Sequence, residues 1–144
     1  MQTMTTANKT RITVAATVNA AVKKVWELWS EPGHIKQWNN ASPDWHTPKA
    51  ENDLREGGKF SCRMEAKDGS FGFDFWGTYT EVRPLEYIAY TMGDGRKVEI
   101  SFMQEEDATK ITETFEAEEE NSVELQQSGW QSIMDNFKKY AEAQ

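Results

Sequence analysis

The sequence predicts an α+β domain in which an antiparallel sheet is covered on one face by helices. Three observations predict it: a strand-like alternation followed by two short helical patterns, then a series of alternating segments divided by turn residues, and last a long amphipathic helix. A chain of 144 residues can bury one sizeable core without disulfides or metals. One domain over residues 11–144 is therefore expected, after a frayed N-terminus at 1–10 whose small polar residues have no periodicity.

From Arg11 to Val18, Ile12, Val14, Ala16 and Val18 alternate with Arg11, Thr13, Ala15 and Thr17, the period of a half-buried strand. Asn19 then stands where a helix cap is expected. Val22, Val25, Trp26 and Trp29 recur at helical spacing, and Glu31-Pro32-Gly33 ends that helix before a second, short one that reaches Trp38. Pro43 and Pro48 among scattered polar residues predict an irregular crossover from Asn39 to Leu54. Beyond Gly57-Gly58, Phe60, Cys62 and Met64 share one face of a strand, and the turn Lys67-Asp68-Gly69-Ser70 leads into the next.

In that next strand, Phe71 to Val82, Phe71, Phe73, Phe75 and Tyr79 share one parity while Asp74, Trp76 and Thr78 share the other. The four aromatic rings should point at a covering helix and Asp74 at solvent. Gly77 should leave a gap on the aromatic side, with a bulge there as the device that could switch parity beyond it. Strands at Tyr87–Met92, Lys97–Met103 and Thr109–Ala117, divided by Gly93-Asp94-Gly95 and by residues 105–108, complete an antiparallel meander.

The closing helix runs from Ser122 to Glu142. Trp130, Ile133, Met134, Phe137, Tyr140 and Ala141 recur at three- and four-residue steps, with Gln131, Asp135, Lys138, Lys139 and Glu142 on the other sides. Asn121 and Glu124 have capping-box spacing. At about 1.5 Å per residue the helix reaches roughly 30 Å, enough to lie across a whole sheet. A strongly curved sheet beneath it tends to leave a void.

The totals exclude several function classes. A formal net charge of -8, from 24 acidic and 16 basic residues, argues against nucleic acid or an anionic membrane as the main partner. No stretch is apolar for long enough to span a bilayer, and the first nine residues lack the apolar core of a signal peptide. Cys62 is the only cysteine, which rules out an intramolecular disulfide and suits a reducing cytoplasm. His34, His46 and Cys62 share no ligand spacing, so no metal is expected; His46 reads as a solvated or structurally bonded loop histidine. Gly57-Gly58 and Gly93-Asp94-Gly95 read as turns rather than a phosphate loop, and no cofactor is expected. Cys62, between Phe60 and Met64 on the inward parity, reads as a buried, inert thiol.

Four segments in register carry a resemblance: VWELWSEPGHIKQW at 25–38, LREGGKF at 54–60, FWGTYTEVRP at 75–84 and GWQSIMDNFKKYAE at 129–142. Together they resemble the activator of heat-shock chaperone ATPase family, in its stand-alone bacterial branch, within the START-like or SRPBCC superfamily. The resemblance extends from about Ile12 to Ala141. It implies a helix-grip fold, in which two short helices and the C-terminal helix embrace a curved sheet around an apolar cavity. The superfamily includes lipid and hormone binders, aromatases and cyclases, and chaperone co-regulators, so it implies a cavity more than a chemistry.

The expected ligand contacts are Phe60, Cys62, Met64, Phe73, Phe75, Tyr79, Ile100, Trp130, Ile133, Met134 and Phe137, with Glu113 as the polar one. Trp26, Trp29 and Trp38 are expected as core. Glu113 shares the parity of Ile111 and Phe115. Three placements stay open for it: bonded to a ligand or acting as a proton donor inside the cavity, paired with a tyrosine or arginine at the sheet margin, or exposed by a bulge. The leading expectation is a non-catalytic module for a hydrophobic or aromatic small molecule, monomeric or weakly dimeric. A chaperone ATPase co-regulator and an aromatase- or cyclase-like enzyme using Glu113 and a tyrosine are the alternatives.

Overall fold

The computed structural model describes residues 10–144; the frayed start expected at 1–10 falls, but for Thr10, outside the described residues. The elements in order are β1 (Arg11–Val18), α1 (Val22–Ser30), α2 (Pro32–Trp38), β2 (Trp45–Asn52), β3 (Lys59–Ala66), β4 (Gly72–Arg83), β5 (Tyr87–Met92), β6 (Lys97–Glu105), β7 (Ala108–Glu116) and α3 (Val123–Glu142). The seven strands form one curled antiparallel sheet in the order β1-β7-β6-β5-β4-β3-β2, so the first strand pairs with the last. This is the helix-grip α+β fold, with three helices on the sheet. Among the described residues no helix is long and apolar enough to cross a membrane.

The core forms where α3 meets the β1 end of the sheet. Val14 and Val18 of β1 and Ile111 and Phe115 of β7 are buried with Met134, Phe137 and Ala141 of α3. The polar side of α3 has a second use. Gln131 bonds both backbone groups of Ala15, Gln127 donates to the Thr13 carbonyl, Lys138 to that of Thr17, and Glu142 accepts the Asn19 N–H. Every second residue of the β1 edge is thus tied by a helix side chain, which blocks that edge to another strand.

Several expectations are corrected. The segment from Asn39 to Leu54 contains a strand, β2, rather than only a crossover. Pro48 falls where its register with β3 shifts, between His46 and Lys49, and an edge strand tolerates a missing N–H at such a bulge. Asn19 does not cap α1, which begins after Ala21 without a side-chain cap of its own. Instead Gln104 of β6 accepts the Val22 N–H at 2.8 Å, and the Thr109 hydroxyl donates to the Ala20 carbonyl at 2.8 Å. At α3 the cap is Ser122, whose Oγ accepts the Leu125 N–H at 3.1 Å; Asn121 donates to Glu118.

On β4, Tyr79 is buried and Asp74 exposed, but Phe73 is 42% exposed, and Phe71, just before the strand, is 60% exposed. The start of β4 lies far from the β1 end that α3 covers, so these rings pack on Trp45 of β2 instead, with centroids about 6 Å apart. A bulge does reverse the parity of β4, between Tyr79 and Glu81, placing Val82 against the core. Gly77 leaves no gap. A Cβ there would lie 2.8 Å from Phe60 Cε2 and 2.8 Å from the Thr91 carbonyl oxygen, so the Phe60 ring occupies the space. Gly77→Ala should therefore cost about 1–3 kcal/mol in urea denaturation, since the Thr91 oxygen belongs to the backbone and cannot rotate aside. A loss below about 0.5 kcal/mol would show that Phe60 is not wedged against this strand.

Candidate ligand chamber

The curl of the sheet and the pull of α3 toward β1 leave a cavity of about 210 Å³ over the middle of the sheet. Trp130 and Ile133 of α3 roof it, with Trp29 and Ser30 of α1 and Ile35 and Trp38 of α2. The floor comes from alternate residues of successive strands: Phe60, Cys62 and Met64 on β3, Phe73, Phe75 and Tyr79 on β4, Ile88 and Tyr90 on β5, Ile100 on β6 and Glu113 on β7. Asn39, Asn52 and Leu54 close one side.

Aromatic rings hold the walls in place. Phe115 stacks on Trp130 at 3.8 Å between centroids, fixing the roof to β7, and Phe75 meets Trp130 edge-on at 6.2 Å. Phe60 touches Tyr90 edge-on at 4.7 Å and Tyr79 at 5.5 Å. Such rigid rings lose little rotamer freedom and keep a void from collapsing.

The polar groups in this wall divide into satisfied and unsatisfied. The Tyr79 hydroxyl donates to Asn52 Oδ1 at 2.5 Å, and Asn52 Nδ2 donates to the Ser30 carbonyl at 2.7 Å, a bridge that joins β4, β2 and α1. Among the described residues the buried Ser30 Oγ has no partner, and neither the Tyr90 hydroxyl nor the Glu113 carboxyl makes a hydrogen bond or an ion pair. Glu113 is 7% exposed, and desolvation pushes its carboxyl up to about 8. Burial likewise pushes the Cys62 thiol up to about 11 and raises the Tyr79 and Tyr90 hydroxyls. Burial thus favours the neutral form of each titratable group in the wall, and Cys62 is buried as its neighbours suggest.

Of the residues singled out from the sequence, Phe60, Cys62, Met64, Phe73, Phe75, Tyr79, Ile100, Glu113, Trp130 and Ile133 line the chamber. Met134 and Phe137 do not. Both are buried one step round α3, where Phe137 packs edge-on against Trp29 and Trp38 at 4.9 Å each. Ile88 and Tyr90 join the wall beyond the expected set, although their alternation on β5 carries the same signal as Ile100. Trp29 and Trp38, expected only as core, serve both as core and as wall. Glu113 faces inward, unbulged and unpaired among the described residues, which goes against the marginal and exposed placements. His46 lies on the outside of β2, its Nε2 3.8 Å from Glu65 Oε1. Among the described residues no cluster of His, Cys, Asp or Glu could hold a metal.

Comparisons with known proteins agree with this geometry. The family model described as "Activator of Hsp90 ATPase homolog 1-like protein" matches residues 19–142. The solution structure of an AHSA1-like protein from Aeromonas hydrophila is 45% identical, with 93% of each chain covered and a TM-score of 0.88. The solution structure of Chr148 from Cytophaga hutchinsonii is 55% identical over 92% of each chain, with a TM-score of 0.81. The crystal structure of CV1439 from Chromobacterium violaceum, at 20% identity and a TM-score of 0.82 over 92% of this chain and 98% of its own, shares the fold. No curated protein matches the chain.

Proposed function

The chain belongs to the Activator of Hsp90 ATPase homolog 1-like family, and from that premise and the chamber we propose that it is a non-catalytic module holding a hydrophobic or aromatic small molecule between α3 and the sheet. The observation that carries the reading is a cavity walled by aromatic and aliphatic side chains with only a few polar groups, the usual character of a ligand site. Its volume of about 210 Å³ is below the roughly 300–1,000 Å³ common for small-molecule pockets, which favours one or two fused rings over a long acyl chain. Contacts come from the lining residues named above, with Trp130 at the roof and Phe75 on the floor edge-on to it.

Tryptophan emission should change saturably when the protein is titrated with two-ring aromatic probes, and far less with long-chain acyl probes. Trp130→Ala removes the roof and should weaken the aromatic probes about tenfold. If no probe of either class moves the emission, the chamber does not hold ligands and the reading fails. The enzyme alternative has less support, since burial keeps Tyr90 protonated and Tyr79 already donates to Asn52, so neither offers a ready base.

A second reading, regulation of a chaperone ATPase through surface contact, is supported by the family description alone. A host chaperone whose ATPase rate rises on adding the protein would favour it over ligand storage. The lone buried thiol suits a reducing cytoplasm. The tied edge of β1 and the bulged edge of β2 favour a monomer or weak homodimer.

A further inference from the structure

Glu113 is unusual for what it lacks. It projects from the middle of β7, between Val14 of β1 and Ile100 of β6. Among the described residues nothing bonds to it, although buried carboxyls are normally paired. Among the described residues the other titratable groups lining the chamber are Cys62 on β3, Tyr79 on β4 and Tyr90 on β5; no described Lys, Arg or His lines it, and α1, α2 and α3 contribute no titratable side chain to it. Tyr90 interacts electrostatically with Glu113, and its hydroxyl is also unbonded among the described residues. An open carboxyl in an apolar wall, with a second open hydroxyl nearby, is a place for a polar group brought by the ligand.

The charge of that group follows from the wall. A carboxylate or phosphate would enter a chamber that offers no cation and would lose its hydration without return. An ammonium would ionise Glu113 and bury an ion pair, and its remaining N–H donors would have only the Tyr90 and Ser30 hydroxyls among the open groups of the wall to offset the desolvation of both charges. A neutral carboxyl has one donor and spare acceptor capacity, and an alcohol has one donor and spare acceptor capacity in return. The match is one to one.

We propose that the chamber selects an uncharged hydrophobic molecule bearing a hydroxyl group, seated with that hydroxyl on Glu113; this rests on the ligand-holding function proposed above. Glu113 is then a specificity-determining residue, and the surrounding rings supply most of the affinity.

The test uses one ring system with four substituents: 2-methylnaphthalene, 2-naphthylmethanol, 2-naphthylmethylamine and 2-naphthoate, titrated calorimetrically at pH 6.5. The alcohol should bind about tenfold tighter than the hydrocarbon, and both charged probes more weakly than either. Glu113→Leu should erase the preference for the alcohol while leaving the hydrocarbon bound, and Glu113→Gln, which can still donate and accept, should keep most of it. Thermal melts of both variants check that they fold. Equal binding of alcohol and hydrocarbon, an unchanged ratio in Glu113→Leu, or tightest binding by a charged probe overturns this inference and leaves ligand holding intact. No binding by any of the four to the wild type removes both.

Discussion

Glu113→Gln should flatten the pH dependence of folding stability across the neutral range. In the unfolded chain Glu113 ionises near 4.5, whereas in the folded protein burial holds its proton up to about 8. Between those values the folded state binds more protons than the unfolded one, so stability falls as pH rises. The contribution is fully present below about 4.5 and is lost once pH has passed through about 8. Its full size is on the order of 5 kcal/mol. Carboxylates with lowered values, such as Glu99 beside Tyr87 and Arg11 and Glu142 beside the Asn19 N–H, act in the opposite sense at acid pH. They are common to both proteins and cancel in the difference. Urea denaturation of wild type and variant at pH 5, 7 and 9 measures that difference. The glutamine variant should gain steadily on the wild type as pH rises; parallel curves would show that Glu113 is hydrated in the folded state.

Phe137→Ala should be the most damaging single truncation on α3. The ring is fully buried and meets Trp29 and Trp38 edge-on, while Trp38 is itself fixed by donating its Nε1–H to the Leu28 carbonyl at 3.0 Å. Two indoles joined to separate helices cannot both follow the vacated space, so a cavity remains. The expected loss is about 3–5 kcal/mol, or roughly 10–16 °C in midpoint temperature for a chain of this size. Phe137→Leu, which keeps most of the volume, should lose less than half as much. Equal losses for the two variants would mean that the site depends on the ring's shape rather than on filled volume.

The parts of the fold that are legible in the sequence are those where periodicity and burial agree. β1, β3 and α3 each present one buried face to one core, so alternation or helical spacing reads directly. β2 is hidden because Pro48 and its polar neighbours look like a loop, and an edge strand with a bulge tolerates both. The caps escape for a different reason. Gln104 stands 82 residues from the N–H it satisfies, a distance that no local pattern spans. In the site, strand parity finds Glu113 and Ile100, but helical spacing alone cannot separate Trp130 and Ile133, which face the void, from Met134, buried in the core, and Phe137, which packs on α1 and α2. That division depends on the direction in which α3 is drawn, and β1 sets it.

The pairing of the first strand with the last also bears on how the molecule is made. Thr13 and Thr114, whose hydroxyls meet at 2.9 Å across β1 and β7, are 101 residues apart in the chain. The loop between them must close before either strand gains its partner, and topologies of such high contact order fold slowly. On a ribosome, β1 emerges first yet waits roughly 5–20 s for β7 to be synthesised. During that interval Ile12, Val14 and Val18 have no sheet to join, and the segment that ends as the best-protected edge of the protein begins as its most exposed.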